Sequence, residues 1–273
     1  MKLKGRVALV TGAAAGIGRG VARRFASEGA ALWLADIDAD GGERTAAQIR
    51  RDFGAEVGFV RTDVGQRDEV DAMVAGAIGR FGRVDVLVNN AWGTRPGRHH
   101  PYSRVETQDD RDVDWALRIA PRSALWTMQA VFPGMRERGW GRVITMCSLN
   151  GVNAHPYSVD YNMAKEALRT LTRTAAREWA ALGICCNAIC PGAETEAFRR
   201  FAAAQPENAA AIRERIPMRR LGDPETDIGA VAVFLASDDC RYLTGNTLYV
   251  DGGSHINGVP WSPEPPDEAP HRP

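Results

Sequence analysis

Val7-Ala8-Leu9-Val10-Thr11-Gly12-Ala13-Ala14-Ala15-Gly16-Ile17-Gly18 is the stretch on which the fold turns. Its first four residues are apolar without polar alternation, as in a strand buried on both faces. The glycines then allow a tight turn and a close backbone approach, and helical spacing follows over Gly18 to Glu28. A helix that starts there offers free N–H groups and the positive end of its dipole to a phosphate. Glycines alone mark many ordinary turns. Strand before and helix after make this one specific.

Moving outward, six more apolar runs recur: Ala31 to Ala35, Val57 to Val60, Val84 to Val88, Val143 to Met146, Ile184 to Ile189 and Thr247 to Val250. Helical candidates lie between them, among them Asp68 to Phe81, Trp115 to Arg138 and Val159 to Ala181. This alternation predicts an α/β fold: a doubly wound parallel sheet of about seven strands with helices on both faces. Its ligand crevice lies beyond the carboxyl ends of the strands. With no linker or repeat, residues 1–258 form one domain. The tail 259–273 holds six of the fifteen prolines and forms neither helix nor inner strand.

Composition narrows the function. Of 273 residues, 34 are Lys or Arg and 34 are Asp or Glu, so no long-range field draws nucleic acid or anionic lipid. Five cysteines, an odd number in mostly apolar surroundings, read as buried free thiols of a reducing, cytoplasmic compartment. No Cys-x-x-Cys occurs, and His99-His100 lacks partners at ligand spacing, so no metal is expected. No apolar stretch is long enough to span a membrane.

Asp36 ends the second strand, eighteen residues after Gly18. A carboxylate there accepts both hydroxyls of an adenosine ribose and repels a 2′-phosphate, so NAD is expected rather than NADP. As an alternative, Asp36 caps the next helix. Asp63 and Asn89-Asn90-Ala91 follow the third and fourth strands, where they line the same crevice or simply form turns. Ser148 stands at the mouth of the fifth strand, with Tyr161 and Lys165 following in Tyr161-Asn162-Met163-Ala164-Lys165. One helical turn apart, the Lys165 cation lowers the phenol's pKa from about 10 towards neutrality. Such a tyrosine takes a proton from an alcohol as a hydride leaves, with Ser148 holding the substrate oxygen.

Together these pieces resemble the short-chain dehydrogenase/reductase family, from about Lys4 to Gly253. The matching motifs are Thr11-Gly12 through Gly16-Ile17-Gly18, Asp63-Val64, Asn89-Asn90-Ala91, Ser148, Tyr161 with Lys165, Pro191-Gly192 and Asp251-Gly252-Gly253. The resemblance implies a single-domain Rossmann-like fold and NAD-dependent interconversion of a secondary alcohol and a ketone. It also implies a homotetramer or homodimer, with an interface over Trp115 to Arg138 and Val159 to Ala181. By the same resemblance, Pro191, Gly192 and Thr195 sit by the nicotinamide carboxamide.

The chain departs from the family pattern at three places. Trp92 follows Asn89-Asn90-Ala91 where the family has glycine, and it narrows the pocket or serves as an apolar platform. Thr195 comes one residue early. Ala120, followed by Pro121, stands where the family has its fourth catalytic residue, an asparagine. A water held by that backbone defect relays a proton from Lys165, or else the chain is an NAD-binding pseudoenzyme or sensor with an impaired relay. Further substrate contacts are expected from Asn150, His155 and Tyr157, with Glu196 to Met218 as a flexible lid.

Overall fold

Val7–Thr11 forms the first strand, β1, and all five residues are buried. This computed structural model describes residues 1–98 and 102–256. His99, His100 and the tail 259–273 lie outside the described residues. Six further strands follow: β2 Ala31–Asp36, β3 Val57–Arg61, β4 Val86–Asn89, β5 Gly141–Met146, β6 Ile184–Pro191 and β7 Thr247–Val250. All neighbours pair in parallel, in the order β3-β2-β1-β4-β5-β6-β7. Strand order reverses between β1 and β4, where a crevice opens at the strands' carboxyl ends.

Among the described residues, ten α-helices accompany the sheet: α1 Gly16–Ser27, α2 Ala39–Phe53, α3 Arg67–Phe81, α4 Asp110–Leu117, α5 Ser123–Arg138, α6 Leu149–Val152, α7 Val159–Trp179, α8 Glu196–Ala204, α9 Pro206–Arg215 and α10 Gly229–Ala236. The period of two along β1 sorts its side chains between two cores. Ala8 and Val10 pack with Val21 and Phe25 of α1 and Val233 of α10. Leu9 packs on the other face with Met73 of α3, Met128 of α5 and Ala175 of α7. Each large side chain so buried contributes about 1.5–3 kcal/mol. The five cysteines are free and buried, as the sequence predicts.

Two expected segments take a different form. Trp115 to Arg138 is not one helix, because a π-helical turn at Arg118–Arg122 separates α4 from α5. Pro121 has no N–H for the helical ladder, and Ser123 donates its hydroxyl to Ile119 O at 2.7 Å and Ala120 O at 3.1 Å. The lid segment folds into α8 and α9. Thr195 caps α8 by accepting from the Phe198 N–H, and Pro206 opens α9.

The glycine turn is tied down from both sides. Thr11 Oγ1 donates to Val88 O and accepts from the N–H groups of Asn90 and Ala91. Asn90 Nδ2 donates to Thr11 O at 2.9 Å and Gly12 O at 3.0 Å. A Cβ on Gly18 would lie 2.0 Å from Gly12 O and 2.6 Å from Asn90 Nδ2. Backbone on one side and a bonded amide on the other cannot both retreat. Gly18→Ala is therefore expected to lower unfolding free energy by about 3 kcal/mol or more, read as an earlier urea midpoint. A midpoint equal to that of the parent protein would contradict this packing.

Candidate active site

The crevice beyond β1 and β4 encloses about 670 Å³. One end is built by the glycine turn. Gly12 and Gly16 have φ of +67° and +55°, a region open to glycine and costly for other residues. Gly16 and Ile17 begin α1 at the crevice, and the N-cap residue Ala15 has no side chain able to accept from the helix's first N–H groups. Asp36, at the end of β2, accepts from Ala14 N at 2.9 Å and Asp38 N at 3.0 Å. It does not cap α2, because Asp38 does so by accepting from Gly41 N. Asp63 and Val64 line the wall after β3, and Asp63 also accepts from Gly65 N.

The other end holds Ser148, Tyr161 and Lys165 together. Ser148 caps the short helix α6 after β5, accepting from Asn150 N. Tyr161 and Lys165 stand one turn apart on α7, as their spacing requires. Lys165 is 4% exposed, and its Nζ donates to Met146 O at 2.9 Å. That nitrogen lies 5.6 Å from the centre of the Tyr161 ring and 5.2 Å from that of Trp92. The two rings meet edge to face at 4.8 Å and 86°. Trp92 thus shares the cation and covers the phenol, and Trp115 fixes the loop behind it by donating Nε1–H to Gly93 O.

Electrostatics here depart from the expectation that Lys165 makes the phenol acidic. Burial raises the Tyr161 phenol above its ordinary value, while its hydrogen bond with the Ser148 side chain pulls the other way. Desolvation also lowers Lys165 from 10.5 to about 8. Its proton is held by one carbonyl and two ring faces, and no carboxylate pairs with it among the described residues. Cys147 and Cys190 nearby are pushed up by burial to about 11 and about 12, so both remain thiols.

Other predicted site residues serve the frame or lie elsewhere. Thr11 and Gly18 tighten the turn, and Gly192 packs against Asp251, whose Cα a Cβ would meet at 2.9 Å. Asn89 turns inward, accepting at Oδ1 from Thr127 Oγ1 at 2.7 Å, so its side chain leaves the crevice to Ala91. Pro191 and Thr195 do line it. Asn150, His155 and Tyr157 do not. Asn150 is exposed, His155 bonds Ser158, and Tyr157 is exposed at φ +63° near Arg104. Asn150 lies on the exposed side of α6, and His155 and Tyr157 belong to the connection that follows it, before α7 brings Tyr161 back to the crevice.

Trp115 and Ile119 line the crevice without having been expected from the sequence, whereas Glu196 and Arg200 line it from within the segment expected as a lid. Trp115 stands near the end of α4, and Ile119 lies in the π-helical turn that follows it. A proline two residues after Ile119 was the available signal. Buried ion pairs hold the adjoining loop: Arg98 bridges Asp112 at 3.3 Å and Asp160 at 2.5 Å, and Arg95 meets Asp112 at 2.6 Å. Asp160 precedes Tyr161, so the loop after Trp92 is pinned to the start of α7. Among the described residues, no group of three or more His, Cys, Asp or Glu side chains is placed to hold a metal.

A parallel sheet with its switch point over a glycine turn, and Ser, Tyr and Lys converging beyond it, defines an oxidoreductase of the short-chain dehydrogenase/reductase type. The chain belongs to that family. The family profile described as enoyl-(acyl carrier protein) reductase matches residues 12–255. The chain is 40% identical over 263 residues to oxidoreductase UcpA of Salmonella typhimurium, covering 93% of this chain and 96% of that protein. It is 35% identical to L-fucose dehydrogenase of Oryctolagus cuniculus, covering 94% and 87%. The crystal structure of levodione reductase superimposes with a TM-score of 0.86 at 33% identity, covering 94% of this chain and all of that one.

Charge on Lys165 makes a stability prediction. Its pKa falls on folding, so between about 8 and 10.5 the unfolded chain holds a proton that the folded chain lacks. This contribution to stability therefore rises with pH across that window, and below it the buried ammonium is a cost. Lys165→Met should stabilise the fold by about 2 kcal/mol at pH 7, the gain fading as pH rises through the window. Thermal unfolding at pH 7 and pH 10 reads both; an equal gain at the two pH values contradicts the assignment.

Proposed function

We propose that the protein is an NAD-dependent dehydrogenase that interconverts a secondary alcohol and a ketone, with Tyr161 as acid and base. The observation that carries this reading is the convergence of Ser148, Tyr161 and Lys165 at one end of a crevice whose other end carries Asp36. The cradle suits a dinucleotide. Cβ-free Gly12 and Gly16, and the uncapped start of α1, suit a pyrophosphate. Asp36 keeps lone pairs for ribose hydroxyls beyond its two backbone bonds and repels a 2′-phosphate.

When bound, the nicotinamide gives or takes the hydride. The chain's own residues handle the proton and the geometry. Ser148 orients the substrate oxygen, and Tyr161 exchanges a proton with it. The Lys165 ammonium, buried beside that ring, favours the phenolate once the alcohol's proton is to be received. Trp92, Trp115 and Ile119 make the facing wall apolar and exclude water. They support a medium-sized, flat and partly apolar substrate. One relative is named for dehydrogenating L-fucose and another for reducing levodione, which supports chemistry of this class in either direction.

Ala120 motivates a second reading, an NAD-binding sensor without turnover. Ser123 donates to the Ala120 carbonyl, a group the π-helical turn would otherwise leave open for a relay. Against this, a void of about 10 Å³ beside Ala120 is lined by Asn89, Ser123, Thr127 and Met146, and Asn89 Nδ2 has no partner among the described residues. Such a void is close to the smallest that holds one water, and it adjoins the residue whose carbonyl binds Lys165. The relay thus keeps a route, and the enzyme reading is preferred.

Absorbance of NADH with a panel of secondary alcohols and ketones separates the two. Tyr161→Phe should cut turnover by about 10²- to 10⁴-fold while the NADH dissociation constant stays within about twofold. Retained turnover removes Tyr161 from its role; tight NADH binding with no turnover across the panel favours the sensor. Asp36→Asn keeps the shape and removes the charge. It should lower the preference for NADH over NADPH about tenfold, and an unchanged ratio would remove Asp36 from cofactor choice.

A further inference from the structure

The uncapped N-terminus of α1 is not bare. The Gly16 N–H donates to Glu196 Oε2 at 2.9 Å, and Arg19 in the first turn of α1 pairs with the same carboxylate. Glu196 is the first residue of α8, 180 positions away, on the segment that closes over the crevice. A carboxylate thus stands at the dipole's positive end, where a pyrophosphate oxygen would accept the same N–H. One N–H cannot serve both, and two anions at that spacing repel.

The segment carrying Glu196 is held mainly at its ends. Glu194 N donates to Gly222 O at 2.8 Å before it, and Met218 N donates to Gly252 O at 3.1 Å after it. Between these anchors α8 has no buried residue and α9 has one, Ala209. Helix α8 packs chiefly on α9, through Phe198, Phe201 and the Arg213 guanidinium over the Phe198 ring. The pair can therefore swing as a unit about its anchors. Arg199, 3.6 Å from Glu196 on the same helix, travels with it and keeps the carboxylate paired after it leaves. Arg19 stays behind, freed to meet a phosphate.

We propose that Glu196 is an internal stand-in for the cofactor's pyrophosphate, so that it sets cofactor affinity and couples dinucleotide binding to release of the α8–α9 segment. This rests on the dinucleotide reading above. Glu196 lowers affinity by its own occupancy of the Gly16 N–H, and it keeps the crevice covered until a dinucleotide displaces it. Arg19 acts in both states, on the carboxylate first and on the phosphate afterwards.

Fluorescence titration with NADH and limited trypsin digestion of the cofactor-free protein test it, with Glu196→Gln as the variant. A neutral amide loses the charge but keeps the length of the side chain. The variant should bind NADH about three- to tenfold more tightly than the parent. Without NADH it should also be cut faster at Arg199 and Arg200, because its latch is weakened. Equal or weaker NADH binding by the variant overturns the proposal, whatever the cleavage rate. If the parent itself binds no NADH, the dinucleotide reading fails and takes the proposal with it. If the parent binds NADH and the variant binds it no better, only the role of Glu196 fails.

Discussion

Helix α1 sits over the carboxyl end of β1 at a distance that no side chain permits. Where Gly18 passes Gly12 O, a Cβ would come within 2.0 Å of that oxygen, and where it passes Asn90 it would meet the amide at 2.6 Å. The amide belongs to the chain end of β4, so a single contact joins β1, α1 and β4. It brings the positive end of α1 to the place where strand order reverses. Every other feature of the crevice is set relative to that point. Asp36 reaches it through the Ala14 N–H, the loop after β4 begins at it, and Glu196 closes on it from the lid.

The opposite end obeys a different constraint, the cost of burying an ammonium. Lys165 has one carbonyl and two aromatic faces in place of water, and its pKa falls to about 8 in consequence. A cation so poorly compensated is responsive to any new dipole or charge brought beside it. Tyr161 stays a phenol by the same burial that weakens its neighbour. The frame around the pair is correspondingly rigid: Arg98 ties Asp112 of α4 to Asp160 at the start of α7. Buried ion pairs tie down the reacting end, while α8 and α9 cover the crevice with only Ala209 of their residues buried.

The departures from the family pattern fall within one neighbourhood. Trp92, Ala120 and the early Thr195 all border the crevice or the turn behind it. Trp92 takes up space beside Tyr161, and Pro121 with Ser123 rebuilds the backbone that follows Ala120. Thr195 caps α8 and so places Glu196 one residue later, facing the Gly16 N–H. Substitutions at separate points in the chain thereby act on adjoining parts of one cavity.

The positions of the strands along the chain and their burial on both faces were legible because such burial leaves an unbroken apolar run, and glycine at a strand–helix junction has few other uses. The pairing of Tyr161 with Lys165 was legible because helical spacing alone puts them on one face. Asn150, His155 and Tyr157 lay just as near in sequence, yet α6 and the connection after it turn them to solvent, an outcome of local geometry that carries no periodic signal. The direction of the Tyr161 shift depended on how deeply α7 is buried. The contact of Glu196 with Gly16 spans 180 residues. Short-range pattern reports what each segment must bury; which distant groups then share one volume, and at what electrostatic cost, is decided only when the segments pack.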